Sequence, residues 1–139
     1  MRILGIDYGD ARTGIAITDQ LNITAQGLET IHSKGSDKVI LRRLDEILLQ
    51  YEIDTIVVGR PINMNGTDSK RTETTDQFIH KLKCKYNKIR IETIDERLTT
   101  IAAHKTMNFL DVNKNKKRNI VDTISAVYIL ETYLNKIKN

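Results

Sequence analysis

One short segment near the middle of the chain restricts the fold more than any other: DTIVVG, residues 54–59. It is a continuous apolar run rich in β-branched residues, which is typical of a strand buried on both faces of a sheet. Before it, apolar residues from Val39 to Tyr51 recur at helical spacing, with Ser36 as the expected N-cap. The segment after it predicts a polar helix over about residues 69–84. Helices are therefore expected to flank the sheet that contains this strand.

The remaining segments complete the predicted order of elements. RILGIDY (2–8), TGIAITD (13–19) and NITAQGLETI (22–31) are typical of three antiparallel strands, and KIRIETI (88–94) of a fifth strand. A short helix is expected around residues 101–107, and a mostly apolar helix from Ile120 to Leu134. The order predicts an α/β fold with a five-stranded mixed sheet, in which three antiparallel strands precede two parallel ones. Residues 1–139 are expected to form a single domain.

Composition limits the class of ligand and the cellular compartment. The net charge is +4, and Lys and Arg cluster in residues 81–90 and 113–118. Such clusters attract nucleic acid, although a solvated lysine-rich surface explains them equally well. Cys84 is the one cysteine and the three histidines are scattered, so zinc is not indicated and any metal would be held by carboxylates. No apolar run is long enough to span a membrane, so we expect a cytoplasmic protein. We also expect it to be a monomer or a weak homodimer.

Acidic residues stand at three positions where burial is costly unless the charge is compensated. Asp7 ends the first strand, with Gly5 on the same strand face, and Asp95 and Glu96 end the fifth strand. Asp122 lies in the first turn of the last helix. Small residues follow it at i+3 and i+4, Ser125 and Ala126, and leave room for close packing.

These acids are expected to meet, because ligands of open α/β sheets sit beyond the carboxyl ends of the strands. Converging carboxylates repel one another and favour one or two Mg²⁺ or Mn²⁺ ions. Such a centre activates water for phosphodiester hydrolysis. Each acid also has a structural interpretation: an Asx-turn for Asp7, pairing with Arg97 or a helix cap for Asp95 and Glu96, and the helix dipole for Asp122.

A phosphate-binding loop is the alternative interpretation of the first turn. Gly9 and Gly14 have P-loop spacing, but Ile15 and Ala16 stand where Lys and Ser or Thr are required. The segment GIDYG also resembles the first phosphate loop of actin-like and sugar-kinase ATPases. Those enzymes need two such domains, whereas this chain has the length of one.

Four segments, in order, resemble the signature blocks of the YqgF family of pre-16S rRNA nucleases, which are also described as Holliday junction resolvase-like. They are GIDYGDARTGIAITD (5–19), IVVGRPINMNGTD (56–68), IDERLTT (94–100) and VDTISAVYILETYL (121–134). The resemblance implies a ribonuclease H-like fold, a bacterial cytoplasmic protein and a role in maturing the 5′ end of 16S rRNA. It also implies Asp7, Glu96 and Asp122 as catalytic metal ligands, with Asp95 as the second choice to Glu96.

The same resemblance suggests substrate-binding residues. Arg12 matches the hairpin arginine of the family, for which a phosphate contact and a salt bridge with Asp10 are both open. Residues 60–68 are the candidate flap over the substrate. This segment fits phosphate binding and a purely structural role as a turn and helix cap equally well. The full set of expected substrate contacts is Arg12, Arg60, Asn63, Asn65, Arg97, Lys116, Lys117 and Arg118.

One departure affects the expected substrate. Asp122 has no acidic neighbour at i+3 or i+4, and the next acid on that helix is Glu131. RuvC-type resolvases, by resemblance, use two acids on the last helix. We therefore expect a metal-dependent nuclease acting on pre-rRNA in a ribosomal precursor. The alternatives are a resolvase-like endonuclease acting on branched DNA, a non-catalytic nucleic-acid-binding maturation factor and an actin-like nucleotide binder.

Overall fold

The structure is a computed structural model that describes residues 1–99 and 114–138, with side chains from residue 123 onward in the second range. The strands are β1 (Arg2–Asp7), β2 (Arg12–Thr18), β3 (Ala25–His32), β4 (Ile53–Arg60) and β5 (Arg90–Asp95). The helices in these ranges are α1 (Asp37–Gln50), α2 (Lys70–Lys85), a one-turn 3₁₀ helix (Glu96–Leu98) and α3 (Lys114–Lys138). None of them has the length and apolar character needed to cross a bilayer.

The described strands form one mixed sheet in the order β3-β2-β1-β4-β5. β2 pairs antiparallel with both β1 and β3, whereas β1 pairs parallel with β4 and β4 parallel with β5. The predicted mixture of three antiparallel and two parallel strands is therefore confirmed. Because β1, β4 and β5 are parallel, their carboxyl ends lie at the same edge of the sheet, which we call the carboxyl edge.

Two apolar layers cover the faces of the sheet. The layer on one face is formed with α1 and α2, and it includes Ile56 and Val58 of β4. The layer on the other face is formed with α3, and it includes Val57 of the same strand. Alternate residues of β4 therefore enter opposite cores, which explains why the DTIVVG segment is apolar without a period of two.

Two elements have a boundary that differs from the sequence expectation by three residues or more. β3 begins at Ala25 rather than at residue 22, because the Asp19 carboxylate accepts hydrogen bonds from the backbone N–H groups of Ile23 and Thr24 and closes a tight turn. The last helix spans Lys114–Lys138 rather than 120–134, so residues 114–118, which were expected to form a basic loop before the helix, are helical. Lys and Arg have good helix propensity, which allows a helix to extend beyond its apolar segment. The helix expected around 101–107 lies outside the described residues.

Helix α3 packs directly on the backbone of β1. A Cβ atom at Gly5 would lie 2.5 Å from Leu130 Cγ and 3.0 Å from the carbonyl oxygen of Ala126. Ser125 and Ala126, the small residues predicted to permit close packing, are both buried. The space left by Gly5 is thus filled by α3 itself.

Substituting Gly5 by alanine is expected to lower the free energy of unfolding by about 1–3 kcal/mol, the usual cost of overpacking. The added methyl group meets a backbone carbonyl of α3, which cannot move without displacing the helix. Urea denaturation would measure the loss. Gly27→Ala is the matched control, because there the nearest atom, Thr123 Cβ, would lie 3.0 Å away rather than 2.5 Å and no backbone oxygen is among the nearest atoms. An equal loss in both variants would contradict this account of how α3 is seated.

Tyr8, which follows β1, packs against α1 and α2 on the face of the sheet opposite α3. Its hydroxyl donates a hydrogen bond of 2.6 Å to Asp37 Oδ1 at the start of α1, and its ring stacks on Phe78 of α2 at 4.4 Å between centroids. Lys81 of α2 binds the other oxygen of Asp37 at 2.8 Å. Burial, followed by the bond to Asp37, raises the pKa of Tyr8 above its ordinary value. These contacts fix the backbone immediately after Asp7.

Candidate active site

The first predicted acid lies where β1 reaches the carboxyl edge. Asp7 is the last residue of β1, is half-buried and pairs with Gly14 of β2. By the period of two, Asp7 shares a face with Gly5, which touches α3. The carboxylate therefore belongs to the α3 face of the sheet. Ile6 pairs with Val58 of β4, so Asp7 and Gly59 are the next residues of these two neighbouring strands toward the carboxyl edge.

Asp95 is occupied by a local interaction at the end of β5. Its Oδ1 accepts a hydrogen bond of 2.9 Å from the backbone N–H of Arg97, and its Oδ2 lies 2.7 Å from Arg97 Nη2. The arginine contact, assisted by the backbone bond, holds the pKa of Asp95 below its usual value. The pairing of this acid with Arg97 is therefore observed, and Asp95 also caps the 3₁₀ helix Glu96–Leu98.

Glu96 is directed over the sheet instead. Its Oε1 lies 2.7 Å, and its Cγ 3.1 Å, from the position that a Cβ atom would occupy on Gly59. Ile129 of α3 reaches the same point, with Cδ1 at 2.5 Å. Ile129 packs in the layer on the α3 face, so the Glu96 carboxylate lies on that face too. Asp7 and Glu96 thus approach neighbouring positions of the same face and the same edge.

The third predicted acid, Asp122, has a described backbone but no described side chain. Its backbone lies in α3, about one helical turn before Ala126, whose carbonyl faces Gly5 of β1. Among the side chains described in residues 1–99 and 123–138, no three His, Cys, Asp or Glu side chains are grouped so as to hold a metal. The participation of Asp122 stays a prediction.

Arg12 lies near the end of β1 in the strand pairing. It begins β2 two residues before Gly14, the partner of Asp7, and shares a face with Gly14 by the period of two. Arg12 is half-buried, with its Nε atom buried. Both interpretations of Arg12, the phosphate contact and the salt bridge with Asp10, stay predictions.

Arg60 lies at the carboxyl edge, but its side chain is bound on the face of the sheet that α1 and α2 cover. Its Nε and Nη2 donate hydrogen bonds of 2.9 Å each to the carboxylate of Asp76 in α2, and its Nη2 lies 3.5 Å from Asp68. The guanidinium holds the pKa of Asp76 below its usual value. The observed role of Arg60 is to tie β4 to α2, and its binding to substrate stays a prediction.

The Arg60–Asp76 pair should stabilise the protein only while Asp76 is ionised. Since the folded pKa of Asp76 is lowered, the stabilisation is present above the unfolded pKa and is lost as pH falls through the folded pKa. The pair is partly exposed, so we expect Asp76→Asn to cost less than about 1 kcal/mol at pH 7. The difference from the parent should shrink in urea titrations between about pH 5 and pH 2. Glu73→Gln, an exposed change on the same helix, is the control. A difference that grows on acidification would contradict this account.

The candidate flap forms a self-contained turn. Asn63 Nδ2 donates to Thr67 Oγ1 at 3.0 Å, and Asn65 Oδ1 accepts from the backbone N–H of Thr67 at 3.1 Å. Gly66 has a φ of 86° and lies next to Arg97, whose Nη1 would be 3.5 Å from a Cβ there. The turn role is thus observed, whereas phosphate binding by Asn63, Asn65 and Arg97 stays a prediction. The side chains of Lys116, Lys117 and Arg118 lie outside the described residues.

Gly59 is the feature of this site that sequence reasoning missed. It ends the apolar part of β4, and a glycine inside a strand pattern often marks close approach of another group. That signal was available in the DTIVVG segment. The identity of the approaching group, the Glu96 carboxylate, depends on the turn after β5 and is visible only in three dimensions.

The chain is similar over its whole length to proteins named "Putative pre-16S rRNA nuclease". The relative from Ruminiclostridium cellulolyticum is 55% identical over 137 residues, covering 99% of this chain and 96% of that protein. The relative from Acetivibrio thermocellus is 49% identical over 134 residues, covering 96% and 95%. These relatives therefore match this chain from end to end.

The fold is also similar to solved resolvase structures. The fowlpox virus Holliday junction resolvase has a TM-score of 0.57 at 16% identity, covering 99% of both chains. Thermus thermophilus RuvC in complex with a Holliday junction substrate has a TM-score of 0.58 at 13% identity, covering 98% of this chain and 96% of that one. At this identity the likeness concerns the fold, which is the predicted ribonuclease H-like fold. The model of the family described as RuvX, Holliday junction resolvase, matches residues 1–136, and the chain belongs to that family.

Proposed function

We propose that this protein is a divalent-metal-dependent nuclease that hydrolyses phosphodiester bonds in pre-16S rRNA, at its 5′ end, within a ribosomal precursor. The observation that carries the proposal is the position of the Glu96 carboxylate on Gly59, beside the end of β1 where Asp7 stands. Family membership and the names of the relatives support a nuclease that acts on this RNA.

The donor atoms at this edge fit a hard cation. Carboxylate oxygens are the ligands that Mg²⁺ and Mn²⁺ favour, and two carboxylates approaching on one face need a compensating charge. Asp7 and Glu96, with Asp122, are the residues that would hold one or two such ions. When bound, the metal supplies Lewis-acid polarisation of the phosphate and a more acidic water.

The chain itself contributes orientation and charge. The contacts of Tyr8 fix the end of β1, and the 3₁₀ helix that Asp95 caps directs Glu96 toward the same edge. Arg12, which lies two residues before the strand partner of Asp7, would bind a phosphate oxygen of the RNA backbone. Such a role would be carried out in the cytoplasm, where ribosomal precursors assemble, by a monomer or a weak homodimer.

A cleavage assay tests the proposal. A labelled RNA spanning the 5′ end of the 16S sequence and its precursor extension is incubated with the protein in Mg²⁺ or Mn²⁺, and in EDTA. We expect cleavage with either metal and none in EDTA. Tight, salt-sensitive binding without cleavage under any divalent metal would overturn the proposal and favour a non-catalytic maturation factor. Faster cleavage of a four-way DNA junction than of the RNA would favour a resolvase instead.

A further inference from the structure

The inference concerns Gly59, the residue of β4 that lies between the two acid-bearing strands at the carboxyl edge. Gly59 pairs with Ile94 of β5, and the end of β1 lies on its other side. The nearest atoms to a Cβ on Gly59 would be Ile129 Cδ1 at 2.5 Å and Glu96 Oε1 at 2.7 Å. Both distances are too short for any side chain to be added without displacement of both groups.

The surroundings of Gly59 differ from those of the glycines that seat α3. At Gly5 the nearest atoms belong to Leu130 and Ala126, and at Gly27 they belong to Thr123, so these glycines serve helix packing. At Gly59, by contrast, a carboxylate is among the nearest groups, and it belongs to an acid of the candidate active site.

We propose that Gly59 is a positioning residue for the nuclease reaction: its missing side chain leaves the space in which the Glu96 carboxylate lies, next to Asp7. The part that concerns metal binding rests on the proposed function. The part that concerns the position of Glu96 rests on the geometry alone.

A methyl group at residue 59 would move the Glu96 side chain rather than its backbone. The backbone carbonyl of Glu96 accepts hydrogen bonds from Thr99 N at 3.2 Å and Thr99 Oγ1 at 2.9 Å, and the Asp95 carboxylate fixes the next N–H. The displacement is therefore taken up by rotation about the side-chain bonds of Glu96. Because the Ile129 contact also involves the far end of a side chain, the variant is expected to fold.

The test removes the helix contact first, so that the carboxylate contact can be measured separately. The Ile129→Val protein, which lacks the Cδ1 atom, serves as the parent. The test variant carries Gly59→Ala in addition. Crystal structures of both proteins locate the Glu96 carboxylate, and calorimetric titration measures Mn²⁺ binding. We expect the carboxylate to be displaced in the double variant and the Mn²⁺ affinity to fall about 10- to 100-fold, as when groups that orient metal ligands are changed.

A double-mutant cycle distinguishes positioning from general damage. In the same parent, Glu96→Ala is combined with Gly59→Ala, and the alanine at residue 59 should then cause no further loss of Mn²⁺ affinity. An equal loss with and without Glu96, or a Glu96 carboxylate that stays in place beside Ala at residue 59, would overturn the inference. If the Ile129→Val parent binds no Mn²⁺, the proposed metal-dependent function fails, and the two crystal structures alone decide whether Gly59 positions Glu96.

Discussion

Cleavage of pre-16S RNA by the Asp7→Asn variant is expected to fall by more than about 100-fold, since changes even in groups that only support metal ligands cost 10–100-fold. Asp7 ends β1 on the α3 face, beside the position that Glu96 occupies. The amide keeps the size of the side chain but removes the negative charge that a hard cation needs. Initial rates measured in Mg²⁺ and in Mn²⁺ would show the loss.

The matched control for this substitution is Asp10→Asn, an exposed acid in the same turn. It removes the same charge three residues further along the chain, and we expect cleavage close to that of the parent. Circular dichroism would confirm that both variants are folded. Cleavage by Asp7→Asn at the parental rate would show that Asp7 is not a ligand.

The second large effect separates two adjacent acids. Glu96→Gln is expected to lower cleavage by more than about 100-fold for the same reason as Asp7→Asn. Asp95→Asn is expected to retain most of the activity, because the amide oxygen can still accept the hydrogen bond from the Arg97 N–H and so keep the 3₁₀ helix that directs Glu96. Its cost should appear as stability instead, below about 1 kcal/mol, because the cap bond is kept and only the partly exposed ion pair with Arg97 is lost. Cleavage rates and urea denaturation of both variants provide the comparison.

The opposite result is equally informative. If Asp95→Asn loses cleavage while Glu96→Gln keeps it, then Asp95 must leave Arg97 when the active complex forms. The position of Glu96 on Gly59 would then have no catalytic meaning, and the candidate site would have to be rebuilt around Asp95.

Much of the fold could be predicted because the sequence pattern is local. The β-branched run before Arg60 presents apolar residues to both faces of the sheet, as expected of a buried strand. The helical spacing of apolar residues after Ser36 ends where α1 ends. The extent of α3 was missed because apolar periodicity was the signal used to set its bounds. The Lys-rich turns at its ends are held by helix propensity, which leaves no apolar pattern.

The positions of the candidate acids in the fold could be predicted where they depend only on the end of a strand and on the alternation of side chains between the two faces of the sheet. Asp7 could be assigned to the carboxyl edge because it ends a strand of known direction. The choice between Asp95 and Glu96 could not be made from the residues alone. Moving the end of the strand by one residue exchanges which of the two side chains faces a given side of the sheet. The structure separates them through the short 3₁₀ helix, in which Asp95 is the cap and Glu96 turns toward Gly59.

Arg60 illustrates a contact that sequence reasoning does not reach. Its partner Asp76 is 16 residues away, on a helix whose rotation is fixed by packing against the sheet. Nothing in the segment RPINMNGTD indicates that this arginine faces α2 rather than the acids. Long-range pairing of charged side chains therefore has to be observed.

The most direct test of the central claim is crystallographic localisation of Mn²⁺ in the full-length protein by anomalous scattering. We predict a peak at the carboxyl edge, within coordination distance of the Asp7 and Glu96 carboxylates and of Asp122. The peak should disappear in Asp7→Asn crystals grown in the same solution. Absence of a peak at this edge, in Mn²⁺ concentrations that support RNA cleavage, would contradict the assignment of these acids as the metal ligands.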